Sequence, residues 1–346
     1  MKNLIAFVAI FGSLNSFAGS FVDSSQFYFS KGLEEKTAKR YLAASQYFEK
    51  ATSFDRSNVQ AYLENGFANL EMRKTDQAKA YFTKVYELQP SNSASIKELA
   101  NLYFDYRQWD KAIEFASKCK DCANADRIIG MSNYEKEDYG IAEKALLRAV
   151  AKSPEDAKVQ YTLARMYIDM ELEKKAVPFF EKAVALNPEK SAWAYELALV
   201  YFNNNDNKNA VKSYEAAAAN GYIQSNDFNE NYGYALLYSG NYEKGEEKLW
   251  AVYQRKPGNK EIVRDIAQIL YEQKQYNRSL DYCQRLMQMD IKDGKALYQA
   301  GLNFLKLGQK EKGQGMCDKA IEVDPSLASK RTKKMDLSGG PDIGAL

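Results

Sequence analysis

This chain is predicted to be an all-α solenoid of about nine helix–turn–helix units. Three features predict it: a period of about 34 residues, small side chains recurring at two fixed places in every period, and proline at the joints between periods. Composition agrees. Only 7 of 346 residues are Pro and 19 are Gly, and Ala, Leu, Glu, Lys and Gln, which favour helix, recur throughout.

Residues 1–18 read as a signal peptide. Lys2 supplies the positive start, an apolar run follows from Leu4 to Leu14, and Ser16-Phe17-Ala18 sets small residues where a signal peptidase cuts, so cleavage is expected after Ala18. The run is about half the roughly 20 residues a membrane-spanning helix needs. No later segment is long and apolar enough to span, and the mature chain is expected in an exported compartment, the periplasm in a Gram-negative cell. Residues 19–24 form a short lead-in.

The array occupies residues 25–327, with units starting at residues 25, 59, 93, 123, 157, 191, 226, 260 and 294. Their eighth places hold Gly32, Gly66, Ala100, Gly130, Ala164, Ala198, Gly233, Ala267 and Gly301. Twelve residues further on stand Ala44, Ala78, Ala112, Ala142, Ala176, Ala210, Gly245, Ser279 and Gly313. Helices that cross closely need residues without bulk on both sides of the contact. Four residues beyond the second small column come the fillers Phe48, Phe82, Leu146, Phe180, Tyr214 and Leu249. Cys283 and Cys317 share that column, which predicts buried small apolar thiols too far apart to bond.

Pro90, Pro154, Pro188, Pro257 and Pro325 stand at the thirty-second place, where Pro ends one helix and helps start the next. Turn formers such as Asn204-Asn205-Asp206 and Ser239-Gly240-Asn241 break each unit near its middle. Two joints depart. The third unit is about four residues short and ends in Cys119-Lys120-Asp121-Cys122, and the sixth has Asn220-Gly221-Tyr222 where Pro is expected. The lone CxxC is open to three readings: a local disulfide, a redox pair or half a metal site. With no His and no second CxxC, a four-ligand zinc site is the weakest reading, and the strongest is either a small structural disulfide, which would brace the short joint, or two unpaired thiols. Residues 328–346, with Lys330, Arg331, Lys333 and Lys334 before Ser338-Gly339-Gly340-Pro341, read as a basic, partly disordered tail.

A large residue near place 4, Gly or Ala at 8, Tyr at 11, Ala at 20, an aromatic at 24, Ala at 27 and Pro at 32 is a pattern that resembles the tetratricopeptide repeat family, closest in residues 59–92 and 157–190. The resemblance implies a right-handed superhelix whose first helices line a concave groove, formed mainly by places 2, 5, 6, 9, 12 and 13. Carried over place by place, it gives the partner-binding candidates Phe29, Phe67, Lys97, Asn101, Arg127, Tyr161, Arg165, Tyr195, Tyr234, Arg264 and Tyr298, with Phe104, Tyr134, Phe202, Tyr238 and Tyr271 beside them. Tyr and Phe give large contact area with few rotors to freeze. Tyr161, Tyr195 and Tyr298, at place 5, are the anchors the reading relies on most. Family members that clamp a C-terminal carboxylate use Lys at place 5, Asn at 9 and Asn at 6 of the next unit. Lys97 and Asn101 fit that clamp, but Ile128 does not.

Other functions find little support. Lys plus Arg number 48 and Asp plus Glu 46, interspersed, which gives no field to gather nucleic acid. A chain with no His and no Gly-rich phosphate loop predicts neither an enzyme nor a cofactor. The expected function is a protein-interaction scaffold or adaptor in the cell envelope that holds a partner peptide or protein, as an accessory subunit of a secretion or surface-assembly machine in one version. The alternative is a glycan or peptidoglycan binder that stacks groove tyrosines on sugar rings.

Overall fold

A computed structural model describes residues 8–329 of the chain, with side chains from Val22 onward. The signal-peptide reading falls partly, and the basic-tail reading almost wholly, outside the described residues. The described residues hold eighteen α-helices and one 3₁₀ turn, an all-α arrangement of helix–turn–helix repeats in two compact units that divide between Met170 and Glu171.

Unit 1 carries α1 (Val8–Thr37), α2 (Tyr41–Phe54), α3 (Val59–Glu71), α4 (Thr75–Leu88), α5 (Ser93–Asp105), α6 (Trp109–Lys118), α7 (Ala125–Glu135), α8 (Tyr139–Lys152) and α9 (Ala157–Asp169). Unit 2 carries α10 (Glu173–Leu186), α11 (Ser191–Asn203), α12 (Asn207–Ala219), α13 (Asn226–Tyr238), α14 (Tyr242–Arg255), α15 (Lys260–Glu272), α16 (Tyr276–Met289), α17 (Gly294–Lys306) and α18 (Lys310–Val323), and then a 3₁₀ turn at Pro325–Leu327. α1 is one continuous helix through the lead-in, which contains no proline to break it.

Within each unit the first helices of successive repeats also touch one another, as α5 touches α7, α7 touches α9, α13 touches α15 and α15 touches α17. A row of first helices is therefore bridged directly.

The small columns explain the helix pairing. A Cβ built on Gly66 would lie 2.6 Å from the Phe82 ring, and one on Gly301 would lie 2.6 Å from Cys317 Sγ, so the small residue at place 8 receives the filler at place 24 of its own unit. Where the second small column carries Ser279, its hydroxyl donates to the Ala267 carbonyl at 2.7 Å, so even this polar member is satisfied at the crossing. Phe48, Phe82 and Leu146 are fully buried, as are Tyr214, Leu249, Cys283 and Cys317.

Helix ends follow two local rules. Several first helices begin at a side-chain cap: Asn58, Asn92, Asp156, Ser225 and Asp293 accept from backbone N–H groups two or three residues on. First helices end in a residue with left-handed φ, as at Arg73 (φ 57°) and Arg107 (φ 55°). At α3 the Arg73 N–H bonds Leu70 O at 2.9 Å and the Lys74 N–H bonds Asn69 O at 2.8 Å, a Schellman closure that offsets the strain of a side chain at positive φ. The shortened third unit has a ten-residue second helix, α6, and Cys119 and Cys122 after it are joined in a disulfide. Cys283 and Cys317 are free and buried, and burial pushes the Cys283 thiol up to about 12. Among the described residues no helix is long and apolar enough to cross a membrane.

Candidate functional site: the first-helix faces

On the first-helix row of unit 1, Phe29 and Phe67 are half-buried, each packed on its own unit's filler: Phe29 lies 5.9 Å from Phe48, and Phe67 meets Phe82 edge-on at 5.3 Å. The Lys36 ammonium lies 5.3 Å from the Phe67 ring. Lys97 is exposed, and Asn101 accepts from Asn124 Nδ2 at 2.8 Å. Arg127 is committed internally. Its Nε lies 3.0 Å from Asp156 Oδ2, and its guanidinium lies 5.8 Å from the Phe104 ring. Tyr161 is half-buried with the Lys158 ammonium 5.0 Å from its ring. Arg165 lies 3.9 Å from Asp169, which accepts the Tyr134 hydroxyl at 2.8 Å. Burial and then Asp169 push the Tyr134 phenol up to about 12.

On unit 2, Tyr195 lies in an aromatic cluster rather than standing free. It stacks on Tyr222 at 4.5 Å and 18°, and on Phe228 at 5.7 Å. Tyr222 fills the place where most joints hold proline, so the irregular joint itself supplies the ring that covers Tyr195. Tyr234 donates to Asp265 at 2.9 Å, and burial followed by the Asp265 and Glu230 carboxylates pushes its phenol up. Tyr298 is corrected from surface anchor to core. Only 4% exposed, it packs with Leu302, Cys317, Ala320 and Leu327, because the 3₁₀ turn after α18 folds Leu327 over it.

Arg264 is likewise committed, in a fork to Asp293. The two arginine pairs share one register: Arg at place 5 reaches the Asp that caps the next unit's first helix. That signal, a spacing of 29 residues in both Arg127/Asp156 and Arg264/Asp293, was present in the sequence and not read from it.

The structure brings Arg264 and Tyr298 together with residues that the place-by-place carry-over missed. They line one cavity of about 110 Å³ between α15, α16 and α17, with Ala267, Cys283, Leu286, Ala296 and Leu302 as its apolar wall and Arg264, Gln268, Lys295 and Gln299 as its polar part. Gln299 Nε2 is buried without a hydrogen-bond partner. Its volume is well below the roughly 300–1,000 Å³ of small-molecule sites, so the space suits a single side chain.

Repeated helix pairs with small residues at the crossings and capped first helices define a solenoid repeat protein. Family models for the tetratricopeptide repeat match residues 25–58, 59–92, 157–190 and 294–327, and a second such model matches residues 174–223 and 233–293. The chain belongs to the tetratricopeptide repeat family, whose members bind protein partners and are typically not enzymes.

Over 163 residues, 44% of this chain, it is 24% identical to anaphase-promoting complex subunit 3 of Schizosaccharomyces pombe, a match that spans only 24% of that protein. Among solved structures, the C-terminal part of a tetratricopeptide-repeat protein from Cytophaga hutchinsonii is 18% identical, with 68% of this chain and 98% of that chain covered and a TM-score of 0.50. Pseudomonas aeruginosa PilF is 23% identical, with 62% and 98% covered and a TM-score of 0.44. These likenesses concern the fold alone.

Proposed function

We propose that this chain is a non-catalytic scaffold that binds a protein partner, and that the cavity of unit 2 receives one side chain of that partner. The observation that carries this is the buried, unpartnered Gln299 amide beside an apolar wall. A partner's carbonyl or carboxylate oxygen would accept from this Nε2 on binding, a hydrogen bond with a net worth of about 0.5–1.5 kcal/mol. A short apolar side chain on the same segment would fill the space between Ala267, Leu286 and Leu302.

The test isolates the partner from a cell-envelope extract on the immobilised chain and then titrates the purified partner by calorimetry. Wild type is compared with Gln268→Ala/Gln299→Ala, and circular dichroism checks the fold. At least tenfold weaker binding by the variant supports the reading. Equal binding sinks the cavity as anchor, and retention of cell-wall material alone passes the function to the glycan alternative.

We also infer an envelope location. Lys2, the apolar run and Ser16-Phe17-Ala18 support it, as does the Cys119–Cys122 disulfide, a bond that persists in oxidising compartments. Intact mass of the protein recovered from a periplasmic fraction tests this: a chain beginning at Gly19 supports it, and an intact chain recovered only from cytoplasm overturns it. In the version of this reading in which the chain is an accessory subunit of an assembly machine, residues 328–346 dock to it, and their deletion abolishes the complex while sparing the helical fold.

A further inference from the structure

We propose that the chain pairs with a second copy of itself through the outer face of α1, the two helices lying antiparallel with Phe27 of each copy at the two-fold axis. In later repeats the same face of the first helix is covered by the second helix of the repeat before it. At the third place Phe228 meets Tyr214 of α12 edge-on at 5.5 Å, and at the seventh place Tyr232 lies 5.6 Å from the same ring. Ala61 and Val159, also at the third place, are buried in the same way. α1 is the first helix of the described residues, and its third place, Phe27, stands 57% exposed.

Phe27 is not an isolated side chain. Its ring lies 5.4 Å from Tyr28, which stacks on Phe54 at 5.5 Å and 10°, and Phe54 is itself exposed, so an aromatic surface runs from α1 onto the end of α2. A continuous exposed apolar patch marks a protein contact. The seventh place decides which protein. In later repeats it holds Leu99, Leu163 and Ile266, each buried, whereas α1 carries Lys31 there. The apolar helix of a further repeat, laid on α1, would bury that ammonium against hydrocarbon, which is costly. The face therefore requires an occupant with a carboxylate opposite Lys31.

α1 itself supplies that carboxylate. Asp23 precedes Phe27 by four residues and Lys31 follows it by four, so all three line one face of the helix. Turned end for end about a two-fold axis through Phe27, the stripe is its own complement: Asp23 of each copy stands across from Lys31 of the other, with the two Phe27 rings between them. A parallel pair would instead set Asp23 against Asp23 and Lys31 against Lys31. Asp23 is exposed and the Lys31 side chain is 43% exposed. Lys31 already bonds Glu34 at 2.9 Å, an exposed pair of small worth that leaves its ammonium further protons to donate. Glu34 lies seven residues from the axis, which sets the Glu34 carboxylates of the two copies ~21 Å apart, beyond the screening length at physiological salt. Glu35 is held by Arg40 at 2.9 Å.

The chain, purified as its cell makes it, would be taken through a concentration series in sedimentation-equilibrium ultracentrifugation, beside Phe27→Ser, Asp23→Lys, Lys31→Glu and the double variant Asp23→Lys/Lys31→Glu. Circular dichroism checks that these exposed substitutions keep the helical content. The expected result is a wild-type dimer that weakens roughly tenfold or more in Phe27→Ser. Each single charge reversal weakens it as well, and the double variant restores it, because reversing both charges leaves every facing pair opposite in sign. A wild type that stays monomeric throughout the series overturns the proposal and leaves the aromatic patch to a different protein. A dimer that survives Phe27→Ser, or a double variant no stronger than the single ones, also overturns it, by placing the contact elsewhere.

Discussion

Arg264 and Asp293 form a two-point fork, Nη1 to Oδ1 and Nη2 to Oδ2 at 3.2 Å each, and Asp293 at the same time accepts the Ala296 N–H at 2.9 Å. One carboxylate thus caps α17 and ties it to α15. Burial alone would raise the Asp293 carboxyl, but the Arg264 guanidinium and the Ala296 N–H outweigh it and hold the group below its ordinary value. A depressed carboxylate contributes stability that is present above the unfolded value of about 3.9 and is lost as pH falls through the lower folded one. Asp293→Asn keeps the cap and removes the charge, so it should cost less than about 1 kcal/mol at neutral pH and flatten the acid limb of a thermal-unfolding pH series. Asp293→Ala removes both functions and should cost about 2 kcal/mol. An acid limb unchanged in the Asn variant would assign the pH dependence elsewhere.

Gly301 sits where Cys317 Sγ, Gly313 O and Cys317 N would lie 2.6, 2.9 and 3.0 Å from an added Cβ. Two of these are backbone atoms that cannot swing aside. Gly301→Val should therefore destabilise by roughly 1–3 kcal/mol through overpacking. Gly258, whose Cβ would meet nothing within 4 Å, is the control: Gly258→Ala should shift the melting temperature little in either direction.

Reduction of Cys119–Cys122 opens a loop with a sequence separation of only 3. The loop-entropy relation gives about 2 kcal/mol for so short a closure. A melting curve with and without reductant should show that loss for the wild type and none for Cys119→Ser/Cys122→Ser. A reductant effect that survives in the double variant would have to come from another source.

Tyr298 and Tyr161 share the same place in their repeats and should behave in opposite ways. Tyr298→Ala empties a core site and should cost about 3–5 kcal/mol in denaturant unfolding. Tyr161→Ala, at a half-buried ring on the helix face, should cost about 1 kcal/mol or less. Similar losses for the two would mean that Tyr161 is core as well.

The direct bonds between first helices give a further test. Tyr134→Phe removes the hydroxyl that joins α7 to Asp169 on α9 and should cost about 1 kcal/mol. A double-mutant cycle with Asp169→Ala measures that coupling. Additive losses in the cycle would show the bond contributes nothing.

The repeat period, the pairing of helices and the burial of Phe48, Phe82, Leu146 and Cys317 were legible in the sequence, because a close crossing demands a small residue opposite a large one and demands it again one repeat later. Which polar side chains remain available to a partner was not legible there. Arg127 and Arg264 read as open positive charge, yet both are held by the cap of the next helix. Tyr195 read as an open ring, yet Tyr222 from an irregular joint covers it, and Tyr298 disappears under Leu327. Neither the cavity nor its unpartnered Gln299 has a motif, since three helices and residues 264 to 327 must meet before it exists. Sequence by itself determined the local pattern that buries one face of each helix. Only the tertiary structure decided what the other face offers, because the side chains that close over it come from the neighbouring repeat or from an irregular joint, outside the helix that carries it.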